Sequence, residues 1–199
     1  EEAEIDSHPI RPTGLFKILR ESLPKNSAVT LDAGTLCLQA TDMLNYFEPP
    51  SLFTPLDFGL VGFSFACGLG AKIARPDRPV ISLMGDGGFG MTISELSTAV
   101  QYNINTITIV MNNNSWGAEK SYQRDFYEKR YIGADIDSPP FAKIAELYGA
   151  KGFQIERISD LKNAVLQALK CEKPVVINIE VDPDAIYSFR RDSFKHRES

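Results

Sequence analysis

The chain has 199 residues, with 21 basic and 26 acidic side chains and a net charge of -5. That length supports a sizeable core without disulfide or metal staples, and the acidic balance argues against nucleic acid as a partner. No apolar run is long enough to span a bilayer, the start Glu1-Glu2-Ala3-Glu4 is unlike a targeting segment, and Cys37, Cys67 and Cys171 lack any metal-ligand rhythm, so a cytoplasmic protein with reduced thiols and no membrane contact is expected.

Pro12 opens a helical pattern of Leu15, Phe16, Ile18, Leu19 and Leu23 that stops before Pro24. Residues 28–31 follow as a short buried strand, whose end carries Asp32-Ala33-Gly34-Thr35, a turn into a helix with Leu38, Met43 and Leu44. A short apolar piece at 52–54 precedes a helix over 60–74. That helix is rich in small residues, including Gly62, Ser64, Ala66, Gly68 and Gly70, which permit close approach to a neighbouring backbone. Residues 79–84 form the next strand, feeding an acidic glycine turn at Gly85-Asp86-Gly87. A helix is expected after Gly90, with Thr92 and Glu95 as its capping box. Residues 106–111 are a β-branched strand buried on both faces. The polar and aromatic stretch 112–136 leaves a lid, a short helix or a partner contact open. A helix over 140–150, a strand over 152–155, a helix from Ser159 to Leu169 and a strand over 174–179 complete the chain. This alternation predicts an α/β fold, a three-layer α/β/α domain with a mainly parallel sheet.

Asp86 and Asn113, 27 positions apart, close two successive strands. If those strands are neighbours, both side chains reach the carboxyl edge of the sheet, where open α/β folds bind small molecules. Their oxygens suit magnesium better than zinc or copper. An ordinary Asp-Gly turn and an unrelated strand cap remain the alternative. Gly85, Gly87, Gly88 and Gly90 would suit a phosphate, yet no Walker lysine and no complete Gly-x-Gly-x-x-Gly accompany them.

Gly85-Asp86-Gly87 followed by Asn112-Asn113 resembles the signature of the pyrophosphate-binding domain of thiamine-diphosphate-dependent enzymes. The resemblance implies the thiamine-diphosphate-binding fold, with thiamine diphosphate and Mg2+ as cofactors. It puts the metal on the side chains of Asp86 and Asn113 and the backbone carbonyl of Ser115. Gly87 and Gly88 would neighbour the diphosphate, closed from another side by the turn Asp32, Gly34, Thr35 and Leu36. Gly59, Leu60 and Val61 would receive the aminopyrimidine, with Val61 a smaller wedge than many relatives use, and Trp116 would shape the cofactor side of the pocket.

From Ser115 onward, Trp116-Gly117-Ala118-Glu119-Lys120, Asp125-Phe126, Arg130 and Gly133, with Phe189-Arg190-Arg191-Asp192 in the tail, resemble the sulfoacetaldehyde acetyltransferase family. That implies conversion of sulfoacetaldehyde and phosphate into acetyl phosphate and sulfite. Lys120, Arg124, Arg130, Arg190 and Arg191 are candidate contacts for the small anionic substrate or phosphate, with a charged surface or subunit interface as the alternative. No catalytic side chain is assigned. His8 and His196 lie in terminal segments, and Glu95 and Glu119 do not match the family's activating glutamate, which comes from a separate pyrimidine-binding domain. Residues 1–199 are therefore expected to be a carboxyl-terminal pyrophosphate-binding domain with short terminal extensions. It would work in an oligomer with a complementary pyrimidine-binding domain or subunit absent from this chain. A 2-oxoacid decarboxylase or acetolactate-synthase-like enzyme is the alternative chemistry, and a noncatalytic cofactor-binding or assembly subunit the alternative class.

Overall fold

A computed structural model of the chain describes residues 8–55 and 58–186. The strands are β1 (Ala28–Leu31), β2 (Leu52–Phe53), β3 (Val80–Gly85), β4 (Ile107–Asn112), β5 (Lys151–Ile155) and β6 (Val175–Glu180). They form one six-stranded sheet in the order β2-β1-β3-β4-β6-β5, every pairing parallel. The expected mainly parallel sheet is thus parallel throughout. Such strands need cover on both faces, and β4 is buried along its whole length.

The helices are α1 (Pro12–Ser22), α2 (Thr35–Met43), α3 (Phe63–Ala74), α4 (Asp86–Thr92), α5 (Leu96–Gln101), α6 (Gly117–Phe126), α7 (Phe141–Tyr148) and α8 (Ile158–Ala168). Successive strand residues point to opposite faces, so Ile109 and Val110 enter different cores. On one face Phe16 and Leu19 of α1, Cys37 of α2 and Leu161 and Val165 of α8 pack over Ile109 and Ile177. On the other, Phe65 of α3, Phe89 of α4 and Phe141 of α7 pack over Met84, Val110 and Val176. The ring of Phe89 stands edge-on to both other rings, with centroids 5.5 Å from Phe65 and 5.1 Å from Phe141.

That anchor explains the main departure from expectation. No turn separates β3 from a later helix: α4 begins at Asp86, immediately after the strand, and carries Gly87 and Gly88 in its first turn. Tertiary contacts outweigh the weak helical propensity of the glycines. The expected capping box does not form either. Thr92 Oγ1 donates back to the Gly88 carbonyl at 3.2 Å, Glu95 accepts from the Thr98 hydroxyl at 3.0 Å, and a single 3-10 turn, Ile93–Glu95, joins α4 to α5. Upstream, α3 starts at Phe63 rather than at Leu60, because Gly62 takes a left-handed conformation (φ 88°) at its N-cap. The open stretch after β4 contains α6, which packs on α2.

At the amino edge of the sheet the buried Arg78 donates to the carbonyls of Asn26 at 2.5 Å, Glu48 at 2.6 Å and Pro50 at 3.1 Å, tying the segment before β2 to the turn before β3. The sheet ends on one side in the two-residue β2, and on the other in β5, where the Lys151 ammonium lies 5.1 Å from the Phe153 ring centroid. Among the described residues no helix is long and apolar enough to cross a membrane.

Candidate functional site

After β1 the chain turns outward to β2, whereas β3 leads the other way to β4, so the carboxyl ends of β1 and β3 flank the point where the strand order reverses. Ligand crevices of open α/β sheets form at such a point. A cleft of about 440 Å³ opens here. Of the residues expected at the cofactor, Asp32, Gly34, Thr35, Leu36, Gly59, Val61, Asp86, Gly87, Gly88, Asn113, Ser115 and Trp116 all line it. Leu60 does not, and the residue is 48% exposed.

β3 and β4 are paired in register, with Gly85 beside Met111, which brings Asp86 and Asn113 to the same end of the sheet. Asn112 Oδ1 accepts from the Asn114 N–H at 3.0 Å, closing the turn that directs the chain past Asn113, and Asn114 itself is left-handed (φ 52°). The Asn113 amide reaches to 3.2 Å from Asp86 Oδ1 and 3.1 Å from the Ser115 carbonyl oxygen. With its nitrogen inward it hydrogen-bonds to both. With its oxygen inward, carboxylate, amide and carbonyl oxygens converge beside the Ser115 hydroxyl, 3.2 Å from the amide, an arrangement that a cation reconciles. No group of three or more His, Cys, Asp or Glu side chains able to hold a metal occurs among the described residues, so a cation here would meet carboxylate, amide and carbonyl oxygens. That is a hard donor set. Asp86 is buried, and burial raises its carboxyl above the usual range against the lowering effect of a hydrogen bond from the Ser138 hydroxyl, 2.6 Å from Oδ2.

Asp32 lines the same cleft with different engagements. Its Oδ2 accepts from the Gly62 N–H at 3.0 Å and its Oδ1 from the Ser64 N–H at 3.1 Å, so one carboxylate caps the start of α3 from a neighbouring strand. Burial raises its pKa while these amides oppose the shift. The carboxylate is turned to backbone amides, so within the turn expected to close the cleft Asp32 holds the start of α3. Gly88 lies so close behind it that a Cβ there would collide with the carboxylate, and a Cβ on Gly87 would come within 2.6 Å of the Trp116 ring. The glycines of α4 thus serve close packing around the cleft.

Two helix N-termini, those of α2 and α6, open onto the cleft without a side-chain cap and turn the positive ends of their dipoles to it. Cys37 is buried beside them, its thiol donating to the Leu83 carbonyl at 3.5 Å and its pKa pushed up by burial.

The expected cationic contacts are not brought together here. Lys120 pairs with Asp135 at 2.6 Å, Arg124 with Asp125 at 2.8 Å while also donating to the Ile186 carbonyl, and Arg130 donates to the Tyr127 carbonyl at 3.2 Å. None of the three lines the cleft, whereas Glu119 does. The cleft is lined by the first residues of α6, Gly117, Ala118 and Glu119, whereas Lys120 and Arg124 lie further along the helix and Arg130 beyond its end. His8 is exposed and its Nδ1 donates to the Glu156 carbonyl at 2.9 Å. Arg190, Arg191 and His196, with the tail motif 189–192, lie outside the described residues. Ser138 carries no signal in the sequence, because it meets Asp86 only through the long connection after α6.

Residues 32–179 match the family described as "Thiamine pyrophosphate enzyme, C-terminal TPP binding domain". The chain is 34% identical to a sulfoacetaldehyde acetyltransferase of Castellaniella defragrans, over 97% of this chain and 33% of that protein. It is 33% identical to a probable acetolactate synthase large subunit of Methanococcus aeolicus, over 93% of this chain and 32% of that one. In structure it is similar to a thiamine diphosphate-dependent 4-hydroxybenzoylformate decarboxylase of Rhodococcus jostii RHA1, with a TM-score of 0.84 and 28% identity over 92% of this chain and 34% of that one. The chain spans about a third of the length of the relatives it matches.

Proposed function

This chain belongs to the thiamine pyrophosphate enzyme family, as its C-terminal TPP-binding domain, and from that premise we propose that it holds the diphosphate end of thiamine diphosphate with Mg2+ in an enzyme converting sulfoacetaldehyde and phosphate into acetyl phosphate and sulfite. The observation that carries the cofactor assignment is the convergence of Asp86 Oδ1, the Asn113 amide and the Ser115 carbonyl at one end of the cleft. These three groups would hold Mg2+, which would offset part of the diphosphate charge. The N-termini of α2, at Gly34, Thr35 and Leu36, and of α6 would face the rest of that charge, Trp116 would shape the cofactor side of the pocket, and Gly87 and Gly88 would let the backbone approach. Gly59 would accept through its carbonyl from the aminopyrimidine amino group and Val61 would brace the cofactor. Asp32 keeps their segment in place through the Gly62 and Ser64 amides. When bound, the cofactor supplies carbanion stabilisation, and the protein's part is orientation and electrostatics.

The substrate assignment is supported by likeness to a sulfoacetaldehyde acetyltransferase across nearly the whole chain. The net reaction balances without an external oxidant. The carbon–sulfur bond breaks, a phosphate oxygen bonds to the former aldehyde carbon, that carbon rises to the acyl level, and its neighbour is reduced to a methyl group. Since Lys120, Arg124 and Arg130 do not line the cleft, recognition of the sulfonate is assigned to a complementary pyrimidine-binding domain or subunit, or to Arg190 and Arg191. The complementary part also supplies the proton-transfer group. Sulfite and acetyl phosphate are measured with the complete enzyme, saturating cofactor, Mg2+ and phosphate. Absence of both products ends the substrate assignment, and carbon dioxide release from a 2-oxoacid instead selects the acetolactate-synthase-like chemistry that the methanogen relative favours.

A further inference from the structure

We propose that Ser138 is a positioning residue for the cation site, its hydroxyl deciding which oxygen of Asp86 is left to face the cation. The inference rests on the assignment of Asp86 as a cation ligand made above.

Ser138 Oγ donates to Asp86 Oδ2 at 2.6 Å, while Oδ1 is the oxygen that the Asn113 amide approaches at 3.2 Å. A carboxylate has two equivalent oxygens and rotates readily about its last bond. Engaging one of them from a fixed donor sets the direction of the other, and here Oδ1, the oxygen not bonded to Ser138, faces the Asn113 amide, which itself lies 3.1 Å from the Ser115 carbonyl oxygen.

The donor is itself held in place. Ser138 ends a strap, residues 134–138, that runs antiparallel to the segment carrying Ser115. The Trp116 N–H donates to the Ala134 carbonyl at 2.8 Å, the Ile136 N–H to the Asn114 carbonyl at 2.9 Å and the Ser138 N–H to Asn114 Oδ1 at 3.4 Å, with Ser115 and Asp135 forming a bridge between them. Two residues flanking Ser115 are therefore bonded to the same strap that reaches Asp86. Beyond Ser138, Pro139 and Pro140 restrict the backbone to extended conformations, and Phe141 is buried in the core. One connection thus sets the distance between the carboxylate ligand at the end of β3 and the carbonyl ligand after β4. Hydrogen-bond partners of metal ligands orient those ligands and tune their affinity.

The test is calorimetric titration of Mg2+ into the complete enzyme with thiamine diphosphate present, comparing wild type with Ser138→Ala, Ser138→Thr and Asp86→Asn. Ser138→Ala is expected to weaken Mg2+ binding by about 10- to 100-fold, the usual effect of losing such a partner, and Ser138→Thr, which keeps the hydroxyl, to restore it to within about three-fold. Binding by Ser138→Ala within about two-fold of wild type, while Asp86→Asn loses it, overturns the role of Ser138 and leaves the cation site standing. Equal loss in the Ala and Thr variants also overturns it, since packing rather than the hydroxyl would then matter. Unchanged binding in Asp86→Asn removes the cation site and this inference with it. Should Ser138→Ala fail to fold, Ser138→Cys takes its place, similar in size with a weaker donor, and an affinity equal to wild type overturns the proposal.

Discussion

Asp32 and Asp86 stand at the carboxyl ends of adjacent parallel strands, are 4% and 2% exposed, and both have carboxyls raised by burial. They differ in what answers them. Both oxygens of Asp32 accept backbone amides, from Gly62 and Ser64. Asp86 accepts the Ser138 hydroxyl on Oδ2, is also stabilised by the nearby backbone amides of Asp86, Gly87 and Asn113, and has its Oδ1 3.2 Å from the Asn113 side-chain amide. A buried carboxylate whose acceptors are filled by the protein is a structural clamp. One whose oxygen meets a side-chain amide that can present either its nitrogen or its oxygen can turn with that amide toward a cation. Position in the fold is shared, so the distinction lies wholly in the segments that close over each strand end.

The largest effect should come from Asp32→Ala, which strands two buried amides at the start of α3. A loss of about 3 kcal/mol in unfolding free energy is expected, read from urea denaturation. Asp86→Asn should do the reverse, leaving the unfolding midpoint nearly unchanged in the absence of metal while weakening Mg2+ binding by roughly 100-fold, at or beyond the upper end of what outer partners cost. If both variants lose the same property to the same extent, the contrast between clamp and ligand collapses. Gly88→Ala probes the contact between the two halves, because its Cβ would press on the Asp32 carboxylate. A cost of about 1–3 kcal/mol is expected, with weaker cofactor binding in fluorescence titration, and it should shrink in the Asp32→Ala background, where the obstacle is gone. The smallest perturbation is chemical. Burial raises the Cys37 thiol, and a raised pKa leaves less of the reactive thiolate at a given pH, so alkylation of the folded protein at pH 8 should label the less buried Cys171 before Cys37 by mass spectrometry.

Much of this frame was legible in advance. Strands buried on both faces appear as unbroken apolar runs, which marked β3 and β4 and put Asp86 and Asn113 at their ends. What escaped was non-local. A glycine-rich stretch argues for a turn, yet α4 begins at Asp86, because Gly87 and Gly88 are needed where Trp116 and Asp32 press close. The role of Asp32 depends on amides thirty or so positions later, and that of Ser138 on a strap folded back over β4's end. Lys120 and Arg124 were drawn to the site by sequence proximity, yet only the first residues of α6 line the cleft.

The two ends of the sheet have a consequence for the protein's behaviour at high concentration. A parallel sheet with unpaired outer strands is a template on which another chain's strand can add. β2 offers only two residues of ladder, and β5 sets an exposed lysine, Lys151, at the start of its edge. Short length on one side and charge on the other are the devices by which open sheets resist edge-to-edge growth, so aggregation during refolding should rise when Lys151 is replaced by valine, and light scattering would register it.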